Sequence, residues 1–537
     1  MRKHLQFLLA LLLLSSVVAA CVAPAAAPQT AAAEPAGAAT RTQLLVAEGV
    51  APDMLDLQQG YGGDRISTEQ IGQPLVRMDS ATGQLVPDLA ESWQFSADGK
   101  TLTIKLPAGA VYANGAPLNA QALKDAWTRY KTISPFAIDL EALTEMNVVD
   151  ETTLEAIFAA PPAASLVALT TAFLAPWDAA EADNVGNETF ANAPVASGPF
   201  AVKEFIPGSE LSLVRNDSYQ TRLPFVKNQG PLHLTEVHVR YIPEPATIAS
   251  ELEAGTVDLV TNLPPSAVDR FRSNPDIQLY EVNQPGYRGL LMNLSRPQFA
   301  DIKVRQAIAK AVNREEIVKA LGSTAAPIYA FINAAMVAYS AETESYAQTL
   351  HPQDVDAAKG LLSEAGWADS DNDGIVEKEG APFAVEFLIP SNNEAQKLAS
   401  QVLQAQLKTI GIAIQIKELD AKAAREELSA GNFDLSFENV AWPDPDILSL
   451  VFGAPYWNFG RYENPAQIEK LNGARYLLDP AERTAAYAEI QKVWLDDVVQ
   501  IPLWQNKRYA ATRTWVKGLI VDATGAFYLN DVTIEEQ

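Results

Sequence analysis

The residues that could carry chemistry are few, and their spacing argues against catalysis. The chain has four histidines. His4 lies in the N-terminal run, His351 stands by itself, and His233 and His238 are five apart around a predicted strand. That is a poor spacing for two ligands of one metal. No histidine stands near a serine and an acid in a pattern that suggests a triad, and Gly-x-Ser-x-Gly and phosphate-cradling glycine motifs are absent. Cys21 is the single cysteine, so disulfides and thiol catalysis are both excluded. Carboxylates are abundant, and a secreted hydrolase built on a carboxylate pair stays open as a rival reading.

One acidic run has ligand-like spacing. Asp369, Asp371 and Asp373 occupy the first, third and fifth positions of a calcium-type loop, Gly374 the sixth, and Glu377 follows. The twelfth position, where a bidentate Glu belongs, is Gly380. The run reads either as an acidic surface turn or as a weak structural Ca²⁺ site, and no other cofactor is expected. A second segment, FENVAWPDPDIL over residues 437–448, places Asp444 before Pro445. Its plain reading is a helix start, with Asp as cap and Pro at the first helical position.

The elements that must position these residues alternate between strand and helix. Strands are predicted at 43–47, 237–242, 257–260, 290–294, 412–417, 434–437 and 501–504. Hairpins turn at Asp98-Gly99, Asp150-Glu151 and Pro207-Gly208, with a further turn at Asn114-Gly115. Helices are expected from Asn119 to about Lys131, and at 162–174, 246–254, 355–365, 393–410, 421–430 and from Asp479-Pro480 to about Trp494. Gly255, Gly411 and Gly431 stop three of them. After the strand at 290–294 comes a turn at Arg296-Pro297 and a helix opened by Asp301, with Val304, Ala307, Ile308 and Ala311 on one face. Asn313 then caps a second helix, and Glu316 stands where a capping box would return the bond. Helix, glycine and strand in this order predict an α/β fold.

The 537 residues exceed one core, so two or three domains are expected. The formal charge of −26 opposes nucleic-acid binding, because phosphates would be repelled. Arg2-Lys3-His4 precedes an apolar run over 5–16 that is too short for an ordinary membrane span. Small residues then lead into Cys21, an arrangement that resembles a bacterial lipobox, in which the thiol is acylated and becomes the first mature residue. Residues 22–40 are almost entirely Ala and Pro and cannot build a core; as a partly extended tether they reach up to about 50–60 Å.

PDLAESWQFSADGKTLTIKL at 87–106 and YANGAPLNAQALKDAW at 112–127 look like the hallmark of the family 5 extracellular solute-binding proteins, the receptors of dipeptide, oligopeptide and nickel ABC importers. The family's usual Asp-Gly is Asn114-Gly115 here. The hairpin from Ser197 to Tyr219 and the run FADIKVRQAIAKAVNREEIV at 299–318 are similar to further family segments, with Ser197 in place of Thr. The resemblance covers nearly everything after Thr40, in the correct order.

What the resemblance implies is a two-lobed periplasmic-binding-protein type II-like fold with an extra domain inserted in the first lobe. Residues 1–20 would be a lipoprotein signal peptide and 21–40 the tether. Lobe I would comprise 41–60, 190–288 and 505–537, the inserted domain 61–189, and lobe II 289–504. The chain would be exported, lipid-anchored to the cell membrane and monomeric, would close over a small solute, most readily a peptide, and would dock on ABC permease subunits. An oligosaccharide or a chelated metal is the alternative cargo. In peptide-binding relatives an aspartate three residues before the DP-like pair holds the ligand's ammonium; that position is Ala441 here, and Glu438 is the nearest acid. Glu438, Asn439, Trp442, Asp444 and Trp457 form the expected ligand set, the tryptophans as cleft walls.

Overall fold

The computed structural model describes residues 41–60, 65–79, 84–163, 165–453 and 457–535. Cys21, the signal segment and the tether lie outside the described residues. Among those described, no helix is long and apolar enough to cross a membrane.

One large mixed sheet organises the chain. Ala384–Pro390 lies between Ala413–Leu419 and Leu435–Asn439, all three parallel. Arg288–Met292 pairs antiparallel with Leu435–Asn439 on one side and with the start of Gln500–Arg513 on the other. That last strand is 14 residues long, where the sequence predicts a short strand at 501–504. Its second half pairs with Ile277–Asn283 and Leu259–Val260. Beyond Leu259–Val260 come Gln43–Glu48 and Glu236–Tyr241, again parallel, and then the hairpin Glu210–Arg215 with Phe200–Ile206. The long strand therefore belongs to two groups of parallel strands, one at each end.

Each group has its own core. Leu290, Phe387, Leu403, Phe437 and Leu503 pack together beneath the helices Ile302–Ala311 and Glu394–Lys408. Leu44, Val46, Val237 and Val239 pack with Trp177 and Phe200 at the other end. A separate antiparallel sheet, in the order Ser92–Phe95, Thr101–Lys105, Thr153–Phe158 and Leu143–Val148, buries a third core against Trp127 and Tyr130 of the helix Ala120–Ile133.

Local signals explain most boundaries. Asn119, Asp301, Asn393, Asp420 and Asp479 each accept a backbone N–H in the first turn of the helix they cap. Gly255 and Gly431 end their helices with φ of 74° and 77°, values that cost a residue with a Cβ. Two expectations are corrected. The helix at 162–174 is only the short Ser165–Ala168 and a 3₁₀ turn at Ala172–Leu174. The capping box at Asn313 is not closed by Glu316. Gln406 Oε1 takes the Asn313 N–H at 3.1 Å, and Gln406 Nε2 donates to Glu316 at 2.8 Å. A residue 93 positions away outcompetes the local partner.

Candidate functional site: the facing strand ends

The carboxyl ends of the two groups of parallel strands face each other across the long strand. At one end Arg288 lies between Asn439, the last residue of Leu435–Asn439, and Trp504. At the other, Val260 pairs with Ala511, and the Leu263 N–H reaches the Tyr509 carbonyl. Both sets of strands thus end against residues 504–511. In open α/β sheets ligands collect at strand carboxyl ends, where the chain leaves the sheet with free backbone groups and loop side chains.

Glu438 sits on that edge and is 8% exposed. Its cross-strand partner is Gly289, where a Cβ would lie 3.0 Å from the Tyr287 ring and 3.2 Å from the Ile501 carbonyl. Burial raises the Glu438 pKa to about 7. The Asn439 N–H, the Gln500 side chain, and the charges of Arg425 and Arg288 each pull it back in part. Gln500 is held in turn by Tyr287, whose hydroxyl donates to its Oε1 at 2.9 Å. Arg288 donates to the Val440 carbonyl at 2.7 Å. Gly286 lets the chain pass beneath: with φ of 92°, a Cβ would stand 2.1 Å from the Val440 oxygen. Arg288, Gln500 and Arg425 were not in the expected set. Only the strand register and a helix behind the sheet bring them to Glu438, and no local pattern marks them.

The other expected ligand residues separate into distinct positions. Asn439 is exposed, and its Oδ1 accepts from Gln396 Nε2 at 3.2 Å. Trp442 is half-buried. Trp457 is also half-buried, with the Arg425 guanidinium 5.9 Å from its ring centroid. Asp444 is 0% exposed, and both carboxylate oxygens accept from Arg483 at 2.7 Å. Its Oδ1 also takes the Asp446 N–H at 2.8 Å; the helix expected to start at Pro445 does not form, because residues 445–446 make a turn and helical geometry begins only at 447. With its oxygens committed inside the fold, Asp444 shapes the loop and does not present a charge to a solute.

The acidic run lies on the surface between the helix Val355–Glu364 and the strand Ala384–Pro390. One oxygen from each of Asp369, Asp371, Asp373 and Glu377 falls within 4.8 Å of the others. Such an all-oxygen set suits a hard cation. The loop also has internal partners: Asp369 takes the Gly374 N–H, Asp371 the Asp373 N–H, Asp373 the Ile375 N–H, and Glu377 the Ser370 N–H.

The fold does assemble a serine, a histidine and an acid, which the sequence spacing concealed. Ser212 and His238 are cross-strand partners, with Oγ 3.1 Å from Nδ1, and His238 Nε2 is 2.8 Å from Glu236. Glu236 also meets Lys203 at 2.8 Å. The array lies on the face of paired strands, where backbone N–H groups are spent on the ladder. It therefore lacks the converging donors that acyl transfer needs for its oxyanion. A Ser–His contact without them is a cross-strand polar pair.

Two groups of parallel strands with opposed carboxyl ends, sharing one strand and holding charged side chains between them, define the class of two-lobed solute binders. Residues 84–458 match the family described as bacterial extracellular solute-binding proteins, family 5. The chain belongs to that family. It is 26% identical to heme-binding protein A of Haemophilus influenzae over 504 residues, covering 86% of this chain and 87% of that protein. It is 25% identical to the nickel-binding periplasmic protein of Escherichia coli over 460 residues, covering 80% and 83%. The crystal structure of NikA from Brucella suis in complex with Fe(III)-EDTA shares the fold, with a TM-score of 0.78 at 21% identity, over 92% of this chain and 99% of that one. The chain is accordingly an exported solute-binding receptor with the type II-like periplasmic-binding fold.

Proposed function

We propose that the chain is the receptor of an ABC importer, anchored by a lipid on Cys21, and that it closes two lobes over a peptide or peptide-like solute without turning it over. The observation that carries this reading is the pair of opposed strand edges sharing Gln500–Arg513, with the buried Glu438 at one of them. Lobe I comprises 41–60, 190–288 and 505–537, the inserted domain 61–189, and lobe II 289–504. The two crossings are then residues 284–287 and 505–507, where pairing passes from one group of strands to the other. A solute that touches both edges binds the closed form better than the open one and shifts the population by that difference.

Glu438, Asn439, Trp442 and Trp457 stay in the proposed solute set, and Asp444 leaves it. With Ala441 at the position where peptide-binding relatives hold the ammonium, Glu438 supplies the acid. A second reading, a chelated metal or heme-like cargo, is favoured by the names of the relatives that bind nickel and heme. The test is native mass spectrometry of the purified full chain, followed by a thermal-shift panel of peptides, oligosaccharides and metal chelates. A solute at 100 times its dissociation constant stabilises by about 2.7 kcal/mol. Catalytic release of products from incubated peptides overturns the receptor reading. A mass at the N-terminal peptide without an acyl addition on Cys21 overturns the anchor.

A further inference from the structure

The chain carries 66 acidic side chains against 40 lysines and arginines, so an arginine left without any hydrogen-bonding partner is informative. Every other arginine whose side chain is described meets a carboxylate, a carbonyl or a hydroxyl. Arg425 meets none of these among the described residues. Arg425 is exposed, and its guanidinium carbon lies 5.9 Å from the centroid of the Trp457 ring and 4.9 Å from that of Phe459. Phe459 is itself fixed in a small core with Leu291, Leu388 and Phe433. A guanidinium packed against aromatic rings can still offer its N–H groups to a bidentate partner, and loses less rotamer freedom when one arrives.

Glu438 shows the converse. The buried acids Asp56, Asp88, Asp258 and Asp444 each pair with an arginine, and Asp178 and Asp522 are taken up by hydrogen bonds to both carboxylate oxygens, but Glu438 forms no ion pair among the described residues. Arg425 is close enough to act on it electrostatically, yet no ion pair joins the two. The helix Ala421–Ala430 that carries Arg425 starts directly after Ala413–Leu419, at the same strand edge where Leu435–Asn439 ends. One edge therefore offers an arginine packed against two rings and a buried carboxyl that holds the Asn439 N–H and the Gln500 side chain but, among the described residues, no cation.

We propose that Arg425 is a specificity-determining residue of the solute site, and that Arg425 and Glu438 together select a zwitterion, with a carboxylate on the guanidinium and an ammonium on the Glu438 carboxylate. This deepens the peptide reading above and rests on it. The probe is a tripeptide library with free termini, compared by native mass spectrometry and calorimetry with the same library amidated at the C-terminus or acetylated at the N-terminus. For the wild-type full chain, amidation weakens binding at least tenfold, and acetylation does likewise. Arg425→Met reduces the acid-to-amide ratio to within twofold and keeps the penalty for acetylation; Glu438→Gln does the reverse. Arg425→Lys, which keeps the charge but not the planar fork, falls between wild type and Arg425→Met and serves in its place should that variant not fold. Equal binding of acid and amide by the wild type, or tenfold discrimination surviving in Arg425→Met, overturns the inference and leaves the peptide reading standing. Binding of none of the libraries, with capture of an uncharged oligosaccharide or a metal chelate instead, overturns both.

Discussion

Glu438 and Asp444 lie six residues apart, at the end of one strand and in the loop that follows it, and both are buried. Asp444 meets Arg483 through two bonds of 2.7 Å, with a backbone N–H besides. Glu438 receives the Asn439 N–H, the Gln500 side chain and the neighbourhood of two arginines but, among the described residues, no salt bridge. The difference separates two uses of a buried charge. A charge satisfied from within the fold holds a loop in place. A charge left short of its full complement costs the free protein stability and favours whatever cation arrives to complete it.

The largest effect should come from the satisfied pair. Arg483→Met leaves Asp444 ionisable and buried, and is expected to cost about 3–5 kcal/mol in denaturant unfolding. A loss below about 1 kcal/mol would remove the contrast with Glu438. Glu438→Gln should behave oppositely and depend on pH. The folded-state pKa is about 7, against about 4.3 in an unfolded chain. The folded protein therefore binds the extra proton between those values, and stability falls as pH rises through that window. The glutamine variant should be more stable than wild type at pH 8, by up to about 3 kcal/mol, with the gain fading toward pH 4. A gain that does not change with pH contradicts the assignment. Gly286→Ala comes next: its positive φ and the Val440 carbonyl in the path of a Cβ should cost about 1–3 kcal/mol or shift the opening of the lobes, as read by solution scattering. The smallest effect is expected for Gln406→Ala, about 1 kcal/mol from the lost partners of Asn313 and Glu316.

What could be read in advance follows the same division between near and far. Helix caps at Asn119, Asp301 and Asp479, stops at Gly255 and Gly431, and the turns at Asp98-Gly99 and Pro207-Gly208 are written in neighbouring residues, and they stand where expected. Glu438 is legible only through the resemblance, because Ala441 stands where peptide-binding relatives carry the acid. The pairing of Asp444 with Arg483 spans 39 positions, and Ser212 reaches His238 only through strand register. Arg425 becomes conspicuous only when every other arginine whose side chain is described has been given its partner. The failed helix at 162–174 shows the limit from the other side: an apolar run is compatible with helix, yet the chain there breaks into Ser165–Ala168 and Ala172–Leu174 to pack beneath the smaller sheet and beside Trp177.

The long strand Gln500–Arg513 also sets an order of events. It is the shared partner of Arg288–Met292, Ile277–Asn283 and Leu259–Val260, and it follows all three in the chain. Until it emerges from the ribosome, both groups of strands keep an open edge and neither can be joined to the other. Synthesis thus supplies the piece that joins the two groups only after the strands it joins.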